Sequence, residues 1–296
     1  LGPLNVPLSG RTSGSFGQSR WFSAGYEDAE HGYIRAGDFS IDLSSPLMGR
    51  YYSGRGGDIL YRHNNTEYRM FYTRSRGSVP SETMGMQVGH NFGENRTIRL
   101  TAFRNSELSV PEGYYRDPES STMIGLYAGY QFSKGTEITA EFGASDASSS
   151  GSDTAWRINA RYEIHRFTTN CEWLRSGADF RGGWHDSEIK RVGISWKILD
   201  DLNIFGNFHQ SRFNLSDNPD LQSLRNRNLA YGLTWNAGDF GQIRITRRID
   251  RRRDIAVENS EIERVSTEYL ISKDWGGFRL SASWRDKSDE NQSTGL

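Results

Sequence analysis

Two consecutive segments flanking Ser133–Gly135 alternate strictly in polarity, and that period constrains the fold more than any other feature. In the first, Ile124, Leu126, Ala128, Tyr130 and Phe132 alternate with Met123, Gly125, Tyr127, Gly129 and Gln131. In the second, Ile138, Ala140, Phe142 and Ala144 alternate with Thr139, Glu141 and Gly143. A period of two puts each set on its own side of a β-sheet. One side can face oil, and the other carries a carboxylate. The pattern recurs along nearly the whole chain. It predicts an all-β fold: a transmembrane antiparallel up-and-down β-barrel, apolar outside and wet inside.

About sixteen strands can be read this way, within the size range of such barrels. They are expected near Trp21–Glu27, Tyr33–Ile41, Asp58–Arg62, Tyr68–Arg74, Met84–Phe92, Ile98–Arg104, Met123–Phe132 and Glu137–Ala144. The second half is expected near Trp156–Ile164, Phe167–Leu174, Glu188–Ile198, Leu202–Arg212, Leu229–Trp235, Gln242–Asp250, Arg264–Ser272 and Phe278–Arg285. From the fourth strand onward, connections alternate in length. Short ones are Gly93–Arg96, Ser133–Thr136, Ile164–Phe167, Leu199–Leu202, Asn236–Phe240 and Lys273–Gly277. Long polar ones are Arg74–Glu82, Asn105–Ser121, Ala144–Asp153, Arg175–Ser187, Asn214–Arg227 and Arg251–Glu261. Membrane barrels show this asymmetry, with tight periplasmic turns and long external loops. A soluble sandwich or propeller has no reason to keep it.

Composition fits the same frame. Hydrophobic residues are 35% and charged residues 25% of 296, lean for a soluble core of that size. A barrel needs less, because only alternate strand residues meet lipid. No apolar run approaches the roughly 18 residues of a membrane helix. A formal net charge of −1 gives no reason to expect nucleic acid. Cys171 is alone, so no internal disulfide forms, and alternation sets it on the apolar face with Thr169 and Trp173. The chain opens on Leu1 rather than Met, as a mature or trimmed product does. Lysine occurs only at Lys134, Lys190, Lys197, Lys273 and Lys287, so arginine carries nearly all positive charge. Arginine's rigid fork suits pairing with carboxylates in a confined lumen; genomic base composition accounts for the bias equally well.

Aromatic residues collect at the two rims. Phe92, Tyr130, Phe132, Trp196, Trp235 and Phe278 sit beside short turns, and Trp156, Trp173, Phe208 and Trp284 sit on the apolar face at the long-loop ends. Two girdles are expected where rings straddle lipid headgroups. The other face then supplies the lumen. It is expected to carry Arg99, Thr101, Glu141, Arg157, Asn159, Arg161, Glu163, Asn170, Glu172, Arg191, Lys197, Asn207, His209, Arg244, Arg248, Glu268, Arg279 and Arg285. Two readings of these residues stand side by side. They select solutes in a water-filled channel, or they pair with one another and anchor an inward loop. Asn105–Ser121, with Tyr114, Tyr115, Arg116 and Asp117, is the first candidate for a constriction loop. Ser44–Gly57, with Pro46, Arg50, Tyr51 and Tyr52, is the second. An ordinary external loop is the alternative for both.

Catalysis finds little support. The histidines lack metal-ligand spacing, and one cysteine excludes a cysteine-rich zinc site. Trp184-His185-Asp186 is the only acid–histidine neighbourhood in a loop that invites a look, and Ser216-Asp217-Asn218-Pro219-Asp220 lacks an EF-hand pattern. No catalytic residue, metal or cofactor is expected.

On this pattern the chain resembles the outer-membrane β-barrels of Gram-negative bacteria as a class, porin-like or conduit- and usher-like, over nearly its whole length. Gly37-Asp38-Phe39 and Gly54–Leu60 resemble segments of usher or conduit barrels. The resemblance implies residence in the bacterial outer membrane, with its lipid and lipopolysaccharide as partners. A conduit passing polar solutes through a charged, arginine-rich lumen is expected. The alternative is a barrel scaffold enclosing a plug or partner protein, for secretion, polymer export or electron transfer. Homo-oligomers are open in either case. Residues 1–19 are expected as an N-terminal extension, loop or plug segment, 20–285 as the barrel, and 286–296 as a C-terminal tail or the start of an external loop. With no closing strand in that tail, an open edge would expose unpaired backbone to lipid. Closure is therefore expected within a larger barrel or through an unrecognised strand, for which Leu4, Val6 and Leu8 alternate suitably.

Overall fold

The computed structural model describes residues 23–43, 45, 47–49, 51–75, 80–107, 119–148, 151–218, 223–238, 241–254, 260–275 and 278–293. Within them lie β1 (Ser23–Asp28), β2 (Gly32–Asp42), β3 (Tyr51–His63), β4 (Thr66–Arg74), β5 (Ser81–Phe92), β6 (Arg96–Glu107), β7 (Ser120–Ser133) and β8 (Thr136–Ala147). They are followed by β9 (Gly151–Ile164), β10 (Phe167–Ser176), β11 (Ser187–Lys197), β12 (Leu202–Phe213), β13 (Leu224–Asn236), β14 (Gln242–Asp254), β15 (Ser260–Trp275) and β16 (Phe278–Ser293). The sixteen strands form one sheet in strict sequence order. The fold is an all-β antiparallel up-and-down meander.

Every expected strand is present, and most run further than the alternation alone indicates. β3 starts at Tyr51, so the second half of the expected Ser44–Gly57 loop is strand. β8 and β9 leave only residues 148–150 of the expected Ala144–Asp153 loop. β13 starts at Leu224 and β14 ends at Asp254, which shortens two further loops. β16 continues to Ser293, past the expected end at Arg285 and through most of the expected tail. The cause is shared. An antiparallel ladder is made by backbone groups and extends wherever both chains stay extended, even after the apolar alternation has stopped. Polarity marks how much of a strand one face requires, not how long the strand is.

Tight turns close one end of the hairpins. Asn64 (φ 51°) and His165 (φ 48°) enter the left-handed region in two-residue turns, as does Gly135 (φ 96°). Two-residue hairpin turns require such angles, and Asn and Gly take them at little cost.

The chain divides into two compact units. The first comprises Leu1–Tyr130, Thr139–Trp156 and Asp179–His185, and the second Gln131–Ile138, Arg157–Ala178 and Asp186–Leu296. In the first, Ile34, Ile59, Tyr68, Met70, Met84, Met86, Leu100, Ile124 and Phe142 point to one side and stay exposed, Met70 by 66%. In the second, Ile158, Ile194, Ile204, Tyr231 and Trp235 do the same. The hydrophobic cluster of the first unit, Phe39, Ile41, Leu43, Met48, Phe71, Phe103 and Met123, belongs to the opposite face and to the β2–β3 connection. The apolar face is thus the exposed one, the reverse of a soluble sheet protein.

Candidate functional site

Two connections fold onto the face opposite the apolar one, and the residues that dock, Leu43, Ser45, Leu47 and Met48 of one and Phe180, Arg181 and Gly183 of the other, lie within the first unit. The β2–β3 connection begins with Leu43, Ser45, Leu47 and Met48, all buried. Ser45 Oγ donates to Glu141 Oε2 on β8 at 2.7 Å, and Gln87 Nε2 on β5 donates to the Leu43 carbonyl at 3.3 Å. Arg69 Nη1 on β4 holds the Asp42 carbonyl at 2.8 Å. The β10–β11 connection contributes Phe180, which is fully buried. The two connections meet where Gly183 N donates to the Leu47 carbonyl at 2.7 Å. Arg181 N donates to Ser145 Oγ on β8 at 3.0 Å, and Arg181 Nη2 lies 2.9 Å from Glu119 Oε1.

Glycines on the strands make the room. A Cβ on Gly125 would lie 2.7 Å from Met48 Sδ, and one on Gly143 would lie 3.0 Å from Phe180 Cζ. Gly182 allows close approach too, since a Cβ there would meet the Leu47 carbonyl oxygen at 2.0 Å. Gly125 and Gly143 stand on the polar set of the alternation, where sequence reading takes them as space rather than as seats for a loop side chain.

The same unit holds an ion cluster that the sequence reading missed. Asp58 on β3 is fully buried. Arg69 Nε and Nη2 donate to its two oxygens at 2.9 Å each, Arg35 Nη2 on β2 donates at 2.7 Å, and Tyr33 Oη donates at 2.9 Å. A buried carboxylate needs this many donors to offset its lost hydration. Alternation carried the signal: Tyr33, Arg35, Asp58 and Arg69 sit out of phase with Ile34, Ile59 and Met70.

In the second unit the corresponding face is charged and laddered. Arg157 Nε on β9 donates to Glu172 Oε1 on β10 at 2.7 Å, and Arg191 Nη1 on β11 donates to Glu172 Oε2 at 2.8 Å. Arg191 Nε then donates to His209 Nδ1 on β12 at 3.2 Å. The register continues the row through Asn228 to Asp250, whose side chains are hydrogen-bonded. Arg161 Nη2 pairs with Glu163 at 2.8 Å near the short-turn end. Arg244 lies 4.9 Å from the ring centre of Phe205.

Among the expected lumen residues, Arg99 stacks 5.5 Å from the Tyr127 ring centre, while Thr101 is buried. Glu141 is also buried, so it serves as an anchor for the β2–β3 connection rather than as an open wall residue. Asn159, Arg161, Glu163, Lys197, Asn207, Arg244, Arg248 and Glu268 share the ladder's strand parity. Register sets Arg285 opposite Glu268 and Arg279 opposite Asp274, and the Arg279 and Arg285 side chains lie outside the described residues. Of the expected girdle, Phe92, Phe132, Trp173, Trp196 and Trp235 are exposed on the apolar face, Phe132 by 62%. Tyr130, Trp156 and Phe208 are half-buried on that face, and the Phe278 and Trp284 side chains lie outside the described residues. Tyr114, Tyr115, Arg116 and Asp117, like residues 1–22, also lie outside them.

The acid–histidine pair in the loop separates chemically. Asp186 is buried, and its carboxylate accepts from Ser216 Oγ at 2.7 Å and Ser216 N at 3.0 Å. It ties the β10–β11 and β12–β13 connections together.

No family model matches the chain, and no curated protein matches its sequence. Its structure is similar to outer-membrane porins. These include OccAB2 of Acinetobacter baumannii (12% identity, 93% of this chain and 86% of that one, TM-score 0.44). OpdQ of Pseudomonas aeruginosa follows (11%, 96% and 90%, 0.44), with OprD of the same organism (11%, 90% and 89%, 0.32).

Proposed function

We propose that this chain is an outer-membrane β-barrel that conducts polar solutes along its charged face, with the β2–β3 and β10–β11 connections narrowing the path. One observation carries the reading: the large apolar side chains alternate along the strands and are exposed, while the Arg157–Glu172–Arg191 ladder and the docked loops occupy the other face. Exposing so many apolar side chains on one face is untenable in water and required in lipid. Membrane spanning by strands also demands that backbone groups pair with neighbouring strands, as the sixteen-stranded ladder does.

The paired arginines and glutamates give the conduit its electrostatics. Arg157, Glu172 and Arg191 set opposite charges a few ångströms apart across neighbouring strands, so a passing ion meets a field directed across the wall rather than a single charge. In this orientation the short turns face the periplasm and the long connections face outward.

The test is reconstitution of the purified chain into planar phospholipid bilayers. Discrete, reproducible conductance steps are expected. A folded, inserted barrel that stays electrically silent overturns the conduit reading, and a stoichiometric co-purifying protein in that silent barrel replaces it with the enclosing-scaffold alternative.

A further inference from the structure

Five arginines cluster on the apolar side of the sheet, where alternation elsewhere sets Leu, Ile, Tyr and Trp. On β13, Arg225 and Arg227 share the parity of Leu229, Tyr231, Leu233 and Trp235. On β14, Arg251 and Arg253 share that of Ile243, Ile245 and Ile249, as does Arg247 opposite Tyr231, two same-face positions before Arg251. The register sets Arg225 opposite Arg253 and Arg227 opposite Arg251, and Arg212 of β12 opposite Arg225. Arg225, Arg227, Arg251 and Arg253 are all exposed. Arg227 lies 5.4 Å from the ring centre of Phe208, which fixes its direction toward the apolar face.

Arginine directly opposite arginine is unfavourable in a sheet, since facing side chains start only about 5 Å apart. Acidic residues flank the block in register rather than standing within it. Glu188 is opposite Arg212 on one flank, Glu261 and Glu263 are opposite Arg253 and Arg251 on the other, and Asp217 lies 3.5 Å from Arg212. The four central guanidinium stems span about 5 Å across the strands and about 7 Å along them. That is the footprint of one anionic headgroup. The block adjoins the row Phe208, Leu229 and Ile249 on its apolar side, and the β12–β13 and β14–β15 connections on the other.

We propose that this block is a binding site for the phosphorylated headgroup of lipopolysaccharide. Guanidinium forks take phosphate oxygens bidentately, and the adjoining apolar row receives acyl chains. A bound phosphate removes the repulsion between facing arginines. The site rests on the membrane-barrel reading and places the long-connection end of β12–β14 in the outer leaflet, where that glycolipid resides.

The experiment is native mass spectrometry of the full chain in detergent micelles, titrated with bis-phosphorylated lipid A. Dephosphorylated lipid A and inorganic pyrophosphate serve as the comparison probes. A one-to-one adduct with bis-phosphorylated lipid A is expected. R225Q/R253Q and R227Q/R251Q are each expected to weaken it on the order of 30-fold, from about fivefold per arginine near an anionic surface. These variants relieve like-charge pairs, although R227Q/R251Q also removes existing contacts of Arg227 and Arg251, and heat-modifiable gel mobility checks that each folds as the parent does. R252Q, on the opposite face, is the control and should bind as the parent does. Equal binding by the glutamine variants, or equal binding of dephosphorylated lipid A, overturns the site. Pyrophosphate binding as tightly as lipid A overturns it in favour of a free-anion site. A chain that conducts but retains no lipid A loses this inference alone, whereas one with no heat-modifiable form loses the barrel reading as well.

Discussion

Phe180 tests whether the inward connections are held by packing. Its ring is fully buried within the first unit, against Gly143 of β8 and beside Gly182. Truncating a buried Phe to Ala costs about 3–5 kcal/mol when the surroundings cannot collapse. Collapse is restricted here, because the wall under the ring is strand backbone at a glycine. That loss is drawn from the docking of the connection, not from the strand ladder, which Phe180 does not join. At about 1.4 kcal/mol per tenfold, Phe180→Ala should raise the open population of the connection by about a hundredfold or more, until the segment is fully undocked. Backbone amide exchange reads this directly. Gly183 N is protected by the Leu47 carbonyl and Arg181 N by Ser145 Oγ, so both should exchange faster by that factor. Amides of the β10–β11 ladder, such as those pairing Cys171 with Val192, should keep the parent's protection. Single-channel conductance should rise in parallel. Unchanged exchange at Gly183 and Arg181 in the folded variant refutes the reasoning, because it shows the connection held by something other than the ring.

Two further outcomes check the two faces separately. Cys171 is exposed on the apolar face; in proteoliposomes it should resist a charged, membrane-impermeant maleimide and react with a lipid-soluble one, and fast labelling by the charged reagent refutes lipid contact. Glu172→Gln removes the anionic partner of both Arg157 and Arg191, so the reversal potential in a salt gradient should move toward anion selectivity, and an unmoved potential takes the ladder out of the ion path.

The strand order and the two faces were legible because each follows from a period of two and from polarity, whereas the expected alternation of connection lengths fails at β8–β9, where strand pairing leaves only residues 148–150. Every one of the sixteen strands left its mark in sequence. What the period does not encode is which polar-set positions are open and which are covered. Thr101 and Arg99 on β6 share a parity, yet Thr101 is buried and Arg99 is half-exposed. The difference is made by residues far along the chain. Met48 lands on Gly125, and Phe180 lands on Gly143, across separations that no local pattern records. Glu141 was readable as a carboxylate on the polar face, but its role as an anchor depends on Ser45, 96 residues earlier. The arginine block has the opposite history. Arg225, Arg227, Arg251 and Arg253 break the apolar alternation, so the local pattern ends the strands at Leu229 and Asp250. The structure carries β13 back to Leu224 and β14 on to Asp254. The local pattern loses the strands there because one face changes from apolar to charged while the backbone ladder continues. On the membrane-barrel reading, the block of Arg225, Arg227, Arg251 and Arg253 stands at headgroup level, and Arg247 interrupts the apolar face of β14 two same-face positions short of it.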